Sequence, residues 1–373
     1  MGIKSLNVLL NQKCSCAINQ RKLNTYGGMI LGIDISIFLY KYLYGNDNPI
    51  EGLTKLIMRL MKNNVVPFFV FDGKPPKEKN EVLQMRRERK DYLNVKKNIV
   101  QNSIKVLDEN NNITYDEFKS KFVEYIENNN YEYTINENEI REQFEKKSSE
   151  LKNDYEKISK KIIYITPQHI EKCKKLFDLF GLSYIVSPTE AETLLSVLCR
   201  ENYIDAVVSE DMDVLPTGGH LFLRNFNSDN NMVDEYCLDG ILHCLEITFE
   251  QFIDLCILCG SDYTSKIDRM GPMTAYKYIK RLGNIENILE EWTRTRKYII
   301  PQNFDYQKAR NLFTRPINEI FIQNVTKEIL LNKPKLEELN QYLLENGVKE
   351  KFIKEVDKNL INYHMNIEHM MNF

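Results

Sequence analysis

The stretch "AVVSEDMDVLP", residues 206–216, sets Glu210, Asp211 and Asp213 within four positions behind a β-branched apolar run. Exposed like charges this close repel by about a few tenths of a kcal/mol, so the stretch reads either as a solvated loop or as a cation site. Carboxylates recur at comparable places. Asp34 closes "MILGID", Asp72 closes "VVPFFVFD", Glu190 and Glu192 follow "LSYIVS", and Asp262 follows the apolar run "FIDLCILCG". Each has a bland account: Ser187-Pro188-Thr189-Glu190 reads as a capping box with proline at the first helical position, and Asp262 as the start of a turn after Gly260.

Taken together, these seven acids (Asp34, Asp72, Glu190, Glu192, Asp211, Asp213 and Asp262) imply more. Converging in one cleft, they would cost on the order of several kcal/mol in repulsion and desolvation unless cations neutralised them. Oxygen ligands without His or Cys partners select Mg²⁺ or Mn²⁺ over zinc. Two such ions about 4 Å apart suit in-line displacement at a phosphodiester, and no side-chain nucleophile is then required. No Ser/His or Cys/His set stands out as an alternative.

Just past Asp72, residues 74–90 carry seven bases (Lys74, Lys77, Lys79, Arg86, Arg87, Arg89 and Lys90) against three Glu. Lys79 and Arg86, seven positions apart, are expected on one face of a helix, two turns from each other. From there they would stabilise transition-state charge on a phosphate; the alternative is a solvated helix face.

The elements that must position these residues follow from the apolar runs. "MILGID", "VVPFFVFD", "LSYIVS" and "IDAVVS" read as buried strands and alternate with helical segments such as "PQHIEKCKKLFDLFG". That alternation predicts an α/β domain with a mainly parallel sheet, whose ligands bind beyond the carboxyl ends of its strands. A polar insertion interrupts it. Residues 108–160 hold fourteen acids and eight bases, and Ile140, Phe144, Leu151, Tyr155, Ile158 and Ile162 keep the spacing of an amphipathic helix. The Asn-rich patches 110–112 and 128–130 read as turns. A lid, an arch, a docking element or a plain surface elaboration would each fit this insertion. Beyond residue 236 the pattern is helical: "TFEQFIDLCILCG" opens on a Thr248/Gln251 capping box, and "GPMTAYKYIKRLG" places Pro272 at a first helical position.

Composition bounds the rest. The 373 residues are 43% hydrophobic and 28% charged, with net charge −3, so nucleic-acid binding would have to rest on local basic patches. No apolar run reaches the roughly 18 residues of a membrane span, and "MGIKSLNVLL" fits neither a signal peptide nor a myristoylation site. Eight cysteines suggest free thiols in a reducing compartment. The pairs Cys14/Cys16 and Cys256/Cys259 lack matching partners at zinc-finger spacing.

In order, "MGIKSL", "GIDIS", "VFDGKPP", "SPTEAE", "SEDMDVL" and "LCILCGSDY" resemble the motifs of the flap endonuclease group of structure-specific 5′ nucleases, which includes the repair nuclease of xeroderma pigmentosum group G. The resemblance covers about 1–90 and 162–285. It implies a PIN/5′ nuclease-like α/β fold with a mainly parallel central sheet, a helical arch insertion and a C-terminal helix-two-turn-helix region. The expected segments are 1–76 and 162–236 for the nuclease, 77–161 for the arch and acidic insertion, 237–300 for duplex binding and 301–373 for a helical C-terminal region.

The resemblance further implies two Mg²⁺ (or Mn²⁺) ions held by the seven acids, with Glu210 left out. Lys79 and Arg86 match the active-site bases. Gly2, exposed on removal of Met1, and Tyr40, a base-stacking residue, match as DNA contacts; Arg87, Lys90, Gly271, Lys277 and Lys280 are assigned to DNA as well. In the family the helix-two-turn-helix grips duplex DNA through backbone amides and a K⁺ ion. Here Arg269-Met270-Gly271-Pro272 replaces the usual Gly-Ile-Gly-Pro, and Met273 and Thr274 replace Lys-Arg, which puts duplex affinity and K⁺ binding in question. The C-terminal "NYHMNIEHMMNF" has no recognisable sliding-clamp motif.

The expected activity is therefore cleavage of 5′ flaps near branch points in DNA replication and repair. The protein would act as a monomer without a membrane partner, inside the cell, in the nucleus or at a site of viral DNA replication. A 5′–3′ double-strand exonuclease or a junction resolvase of the same family is the nearest alternative, and a non-catalytic DNA-binding scaffold is another. A small-molecule phosphatase fits less well, because neither "GIDIS" nor "VFDGK" contains Asp-x-Asp.

Overall fold

A computed structural model describes residues 2–3, 5–44, 48–110, 112–129, 136–226, 231–327, 329 and 332–371. The chain divides into two compact units. Met1–Leu39, Asn48–Lys79 and Thr166–Phe373 make the first, and Tyr40–Asp47 with Asn80–Ile165 make the second.

Among the described residues the first unit holds one sheet built of β1 (Ile18–Lys22), β2 (Ile30–Asp34), β3 (Val66–Phe71), β4 (Tyr184–Val186), β5 (Ala206–Val208), β6 (Leu221–Arg224) and β7 (Met232–Cys237). Their order is β1-β7-β6-β5-β2-β3-β4. The run from β6 to β4 is parallel throughout, and β7 lies antiparallel between β6 and β1. The central strands read as continuous apolar runs because both of their faces are covered. Leu31, Ile33, Phe68, Phe69 and Val70 are buried, helix Ala191–Arg200 packs on β2, β3 and β5, and helix Pro49–Lys62 packs on β3. Phe177 of helix Pro167–Phe180 stacks on Phe69 with ring centroids 4.2 Å apart.

Parallel pairing has a direct consequence for the acids. Asp34 is the last residue of β2 and lies in register with Val70 of β3, while Ile33 pairs with Val208 of β5 and Phe71 with Val186 of β4. Four adjacent strands thus deliver their carboxyl ends to one edge of the sheet. Asp34, Asp72, the 187–192 segment and the 209–213 segment all begin there.

The helical half of the unit is fastened to this sheet. Helix Phe249–Cys259 opens on the Thr248/Gln251 capping box, runs buried through the core and stops at Gly260. Cys256 and Cys259 face that core as free thiols, which accounts for them without a metal. Helix Pro272–Leu282 starts at Pro272 behind Gly271, as its sequence predicts. The polar-looking C-terminal helices Leu336–Glu345 and Glu350–Met371 pack on helices Pro167–Phe180 and Pro49–Lys62. Buried Tyr363 donates there to the Val65 carbonyl oxygen at 3.0 Å.

The second unit has its own small core of Ile99, Val106, Ile113, Phe118, Phe122 and Ile140. Helices Asn80–Glu109, Tyr115–Asn128 and Glu137–Glu145 supply it, and helix Ser148–Lys161 packs on the first of them. The single amphipathic helix expected through Ile140–Ile162 is two helices. Lys146 and Lys147 adopt extended backbone, and Ser148-Ser149, weak helix-interior residues that favour starts, open the second. Its start is held by a 2.7 Å hydrogen bond from the Ser148 hydroxyl to Asp108. Of the Asn-rich patches expected as turns, Asn111 and Asn130 lie outside the described residues, and Asn129 closes helix Tyr115–Asn128.

Asp254, buried in helix Phe249–Cys259, accepts hydrogen bonds from the Arg310 guanidinium at 2.7–2.9 Å and from the Ile285 amide at 3.1 Å. Arg310→Ala would leave this buried carboxylate without its cation. We expect a loss of about 3 kcal/mol, read as a lower urea midpoint at unchanged m-value.

Candidate active site

The strand ends carry the acids, and a polar network fixes them. Asp34 accepts from the Ser36 amide (3.1 Å) and the Ser209 hydroxyl (3.2 Å). Ser209 in turn accepts from the Asp211 amide (3.1 Å), and Asp211 accepts from the Asp213 amide (3.1 Å). Asp72 accepts from the Ala191 amide at 2.9 Å. Asp72 thereby caps helix Ala191–Arg200, placing its negative charge at the positive end of the helix dipole. Gly73 seals the junction: its amide donates to the Thr189 carbonyl at 2.7 Å, and a side chain there would collide with the Ser187 carbonyl.

The capping box expected at Ser187–Glu190 does not form. The helix begins at Ala191 with Glu190 in the N-cap position, and no side chain of that box caps it. Ser187 instead donates to the Glu190 carbonyl at 3.0 Å. The Glu190 carboxylate is thus available to accept from the Tyr263 hydroxyl at 2.8 Å and to pair with the Lys79 ammonium. Lys79 also lies 3.9 Å from Asp262 and 5.7 Å from the centre of the Tyr263 ring.

Lys79 itself departs from expectation. It sits buried in the 3₁₀ turn Lys77–Lys79, ahead of the helix that carries Arg86, so the two bases do not share a helix face. The Lys79 amide donates to the Pro76 carbonyl at 3.1 Å, the i→i−3 bond that closes this turn.

Carboxylate oxygens of Glu192, Asp211 and Asp213 lie within 4.8 Å of one another, all on buried residues. Asp213 is fully buried, and neither of its carboxylate oxygens meets a hydrogen-bond donor among the described residues. Gly2 closes over this group with φ +72°, and a side chain at that position would collide with Asp211 and Asp213. Oriented oxygens with no protein donor are a donor set for a hard cation; the buried Glu/Asp cluster fits metal binding.

Electrostatics make the same point. Burial, and then the charges of Asp72 and Asp211, hold the Asp34 carboxyl well above its ordinary range, with the Ser209 hydrogen bond opposing. Burial and then Glu190 and Asp211 do so for Glu192. Burial and then Asp211 do so for Asp213, against the pull of Lys79. For Lys79 burial disfavours the ammonium, yet Glu190 and Glu192 outweigh it and raise its pKa. Burial, and then Asp213 and Glu190, keep Tyr263 a protonated phenol.

The remaining assigned residues are spread over both units. In the second unit Arg86 and Arg87 are exposed on helix Asn80–Glu109. Lys90 lies over the rings of Tyr40 (5.5 Å) and Tyr164 (4.6 Å), and its ammonium and the Tyr40 hydroxyl both donate to the Ile163 carbonyl. In the first unit Gly271 is the N-cap of helix Pro272–Leu282, with open space where a side chain would project. Lys277 is exposed, whereas Lys280 is bound to Glu246 at 2.9 Å. Arg269 adopts the left-handed conformation, at φ 58°. Glu210 stands apart, 3.6 Å from Arg224.

Two residues inside the quoted motifs were left unassigned by sequence, Tyr263 of "GSDY" and Ser209 of "SEDMD". Both touch the acids, and adjacency to an assigned acid was the available signal.

Acids with raised folded-state pKa bind protons more tightly when folded. Their stabilising contribution is complete below the unfolded carboxylate values, near 4, and is lost as pH rises through the raised values. In chelator, the urea midpoint should therefore fall between pH 5.5 and pH 8. Asp213→Asn should flatten this fall and be more stable than the parent at pH 8.

Comparison with known proteins places the chain in a family. The XPG N-terminal domain matches residues 1–92 and the XPG I-region residues 181–262. Flap endonuclease 1 of Enterocytozoon bieneusi is 31% identical over 84% of this chain and 77% of its own length. Flap endonuclease 1-A of Sorghum bicolor is 32% identical over 85% and 76%. The fold is shared with the catalytic core of Rad2 in complex with DNA substrate (TM-score 0.67, 20% identity, 97% of this chain and 100% of that one). It is shared also with flap endonuclease-1 from Methanococcus jannaschii (TM-score 0.60, 21% identity, 94% and 96%). The identity to these relatives over more than four-fifths of the chain and the two matched domains together show that the chain belongs to the flap endonuclease 1 family and carries its XPG N-terminal and I-region domains.

Proposed function

We propose that the protein is a Mg²⁺-dependent, structure-specific 5′ nuclease that hydrolyses DNA phosphodiesters near branch points and releases 5′ flaps during DNA replication and repair. The observation that carries this reading is the buried Asp213 carboxylate, without a protein donor, grouped with Glu192 and Asp211. The proposed ligand set is Asp34, Asp72, Glu190, Glu192, Asp211, Asp213 and Asp262, for two Mg²⁺ or Mn²⁺ ions. When bound, such a pair activates water and stabilises the charge of an in-line displacement at phosphorus.

The side chains divide the remaining work. Ser209, the Ala191 amide and the Asp211–Asp213 turn hold the carboxylates in place before substrate arrives. Lys79 is the proposed catalytic cation. Held between Glu190, Asp262 and the Tyr263 ring, it stays protonated and presents fixed positive charge for a scissile phosphate. Arg86 is proposed as a second catalytic cation, Tyr40 for stacking a base, and Gly2, Arg87 and Lys90 for the DNA strand. Gly271, Lys277 and Lys280 are proposed for duplex contact, with a K⁺ ion at the turn before Pro272. The left-handed Arg269 supports that turn geometry.

Support for a branched DNA substrate comes from relatives of the fold: Rad2 with its DNA substrate and human GEN1 with Holliday junction DNA. Other GEN1 structures carry potassium or product DNA with Mg²⁺. All proposed ligands come from one chain, so a monomer suffices. No described helix is long and apolar enough to cross a membrane. The proposed place of action is the nucleus or a site of viral DNA replication.

The test compares 5′-flap, blunt, gapped and four-way DNA in Mg²⁺. Flap cleavage should dominate; equal cutting of blunt duplex or preference for four-way DNA would transfer the reading to an exonuclease or a resolvase. Asp211→Ala should lower flap cleavage on the order of a thousandfold or more while retaining flap binding. Wild type as inert as this variant would mean a non-catalytic scaffold. Flap affinity should also fall steeply with salt, with a log–log slope of about −0.9 per duplex phosphate contacted.

A further inference from the structure

We propose that Cys16 and Cys244 form a reversible disulfide, a thiol-oxidation site that fastens the N-terminal segment to helix Leu238–Leu245. Their sulfurs are 2.7 Å apart although the residues are 228 positions apart in the chain. A covalent S–S bond is about 2.05 Å long, so closing the bond requires a shift well under an ångström. The backbones are already in close approach there. The turn Ser15–Ala17 packs on helix Leu238–Leu245 and on β7, and a side chain at Gly240 would lie 3.0 Å from the Ala17 Cβ.

Accessibility leaves three thiols, Cys16, Cys237 and Cys244, and of these Cys16 and Cys244 have their sulfurs in contact. Cys16 is exposed and Cys244 half-buried, whereas Cys14, Cys173, Cys199, Cys256 and Cys259 are buried. Burial pushes the Cys14, Cys173 and Cys259 thiols up to about 12, where the reactive thiolate is scarce; the Cys244 thiol is raised as well, chiefly by its contact with Cys16, a contact that the mixed disulfide on Cys16 changes. A metal does not account for the pair. Among the described residues the group of three donors at ligand distances is Glu192, Asp211 and Asp213, and the two sulfurs belong to no such group. The nearby Cys14 thiol is directed at the Ile241 carbonyl, 3.9 Å away.

The oxidant is a low-molecular-weight disulfide such as oxidised glutathione. The Cys16 thiolate attacks one of its sulfurs, forming a mixed disulfide and releasing one glutathione thiolate. The Cys244 thiolate then attacks the Cys16 sulfur, forming the Cys16–Cys244 bond and releasing the second glutathione thiolate. Two electrons pass from the cysteine pair to glutathione disulfide, and the two protons lost by the cysteines are taken up by the released glutathione. Transient bonds of this kind are the form in which disulfides occur in reducing compartments. The segment being fastened carries buried Leu6, Leu9 and Leu10 and, at its start, the Gly2 that closes over Asp211 and Asp213.

The test equilibrates the full chain in glutathione buffers of increasing oxidised fraction, blocks remaining thiols by alkylation and maps the digest by mass spectrometry. A Cys16–Cys244 linked peptide is expected, growing with oxidised glutathione and lost in dithiothreitol. It should be absent in Cys16→Ser and in Cys244→Ser and retained in Cys237→Ser. Oxidation should raise the thermal midpoint of the parent by about 5 °C and leave that of Cys16→Ser unchanged. Separate glutathionylation or alkylation of Cys16 and Cys244, or capture of either by Cys14 or Cys237, would overturn the proposal.

Discussion

Mutual repulsion of buried carboxylates is the constraint around which the first unit is built. Asp34, Glu192 and Asp213 are taken out of water beside Asp72, Asp211 and Glu190, and each is held above its ordinary pKa by burial first and its neighbours second. A flexible loop would relieve this by letting the charges swing outward. The protein prevents that by planting the acids at the ends of four adjacent parallel strands, where strand register sets their spacing. Both faces of the sheet are covered by helices, so the frame resists the charge it carries.

A second layer of polar contacts turns repulsion into defined geometry. Asp72 satisfies the N-terminus of helix Ala191–Arg200, and that helix carries Glu192. One acid therefore fixes the element that presents another. Beneath them, the Ser196 hydroxyl donates to the Glu192 carbonyl at 2.7 Å, and the Thr217 hydroxyl lies 2.7 Å from Ser196 and 2.8 Å from the Asp213 carbonyl. Their backbones are tied while the Asp213 carboxylate is left without a donor. Lys79 offsets part of the charge at the Glu190–Asp262 side and cannot reach every carboxylate, which leaves an internal deficit of positive charge. A divalent cation is the species whose charge and ligand preference meet that deficit.

How much of this was legible in the sequence depended on whether an element announces itself by composition. Strands β2 and β3 are apolar on both faces and were readable, and the acids at their ends followed. Strand β1, "INQRK", is an exposed edge strand whose place is set by pairing with β7, so its residues carry no apolar signal. The bland alternative for Glu190 fails because Ser-x-x-Glu describes a local capping box, whereas the cap is supplied by Asp72 from 119 positions away. Lys79 was misplaced because charge spacing suggested one helix, whereas the 3₁₀ turn Lys77–Lys79 precedes the helix that carries Arg86. The break at Lys146–Lys147 was invisible because the helical spacing of apolar residues continues across two consecutive helices.

The basic residues divide in a way that composition alone conceals. With a net charge of −3, attraction to DNA must come from bases not already committed to acids. In helix Pro272–Leu282, Lys280 is bound to Glu246 and Arg281 to Glu291, and neither ion pair is deeply buried. A phosphate approaching this helix must compete with those carboxylates, so the Coulomb gain there is a difference between two ion pairs rather than a whole one. What the segment offers without competition is backbone: a glycine N-cap, a proline that removes one unpaired amide, and a preceding residue held left-handed even as arginine. Holding a non-glycine residue in that conformation costs roughly 1–2 kcal/mol, and the fold bears the cost. The proposed phosphate contact of this helix therefore rests on that turn more than on the count of lysines.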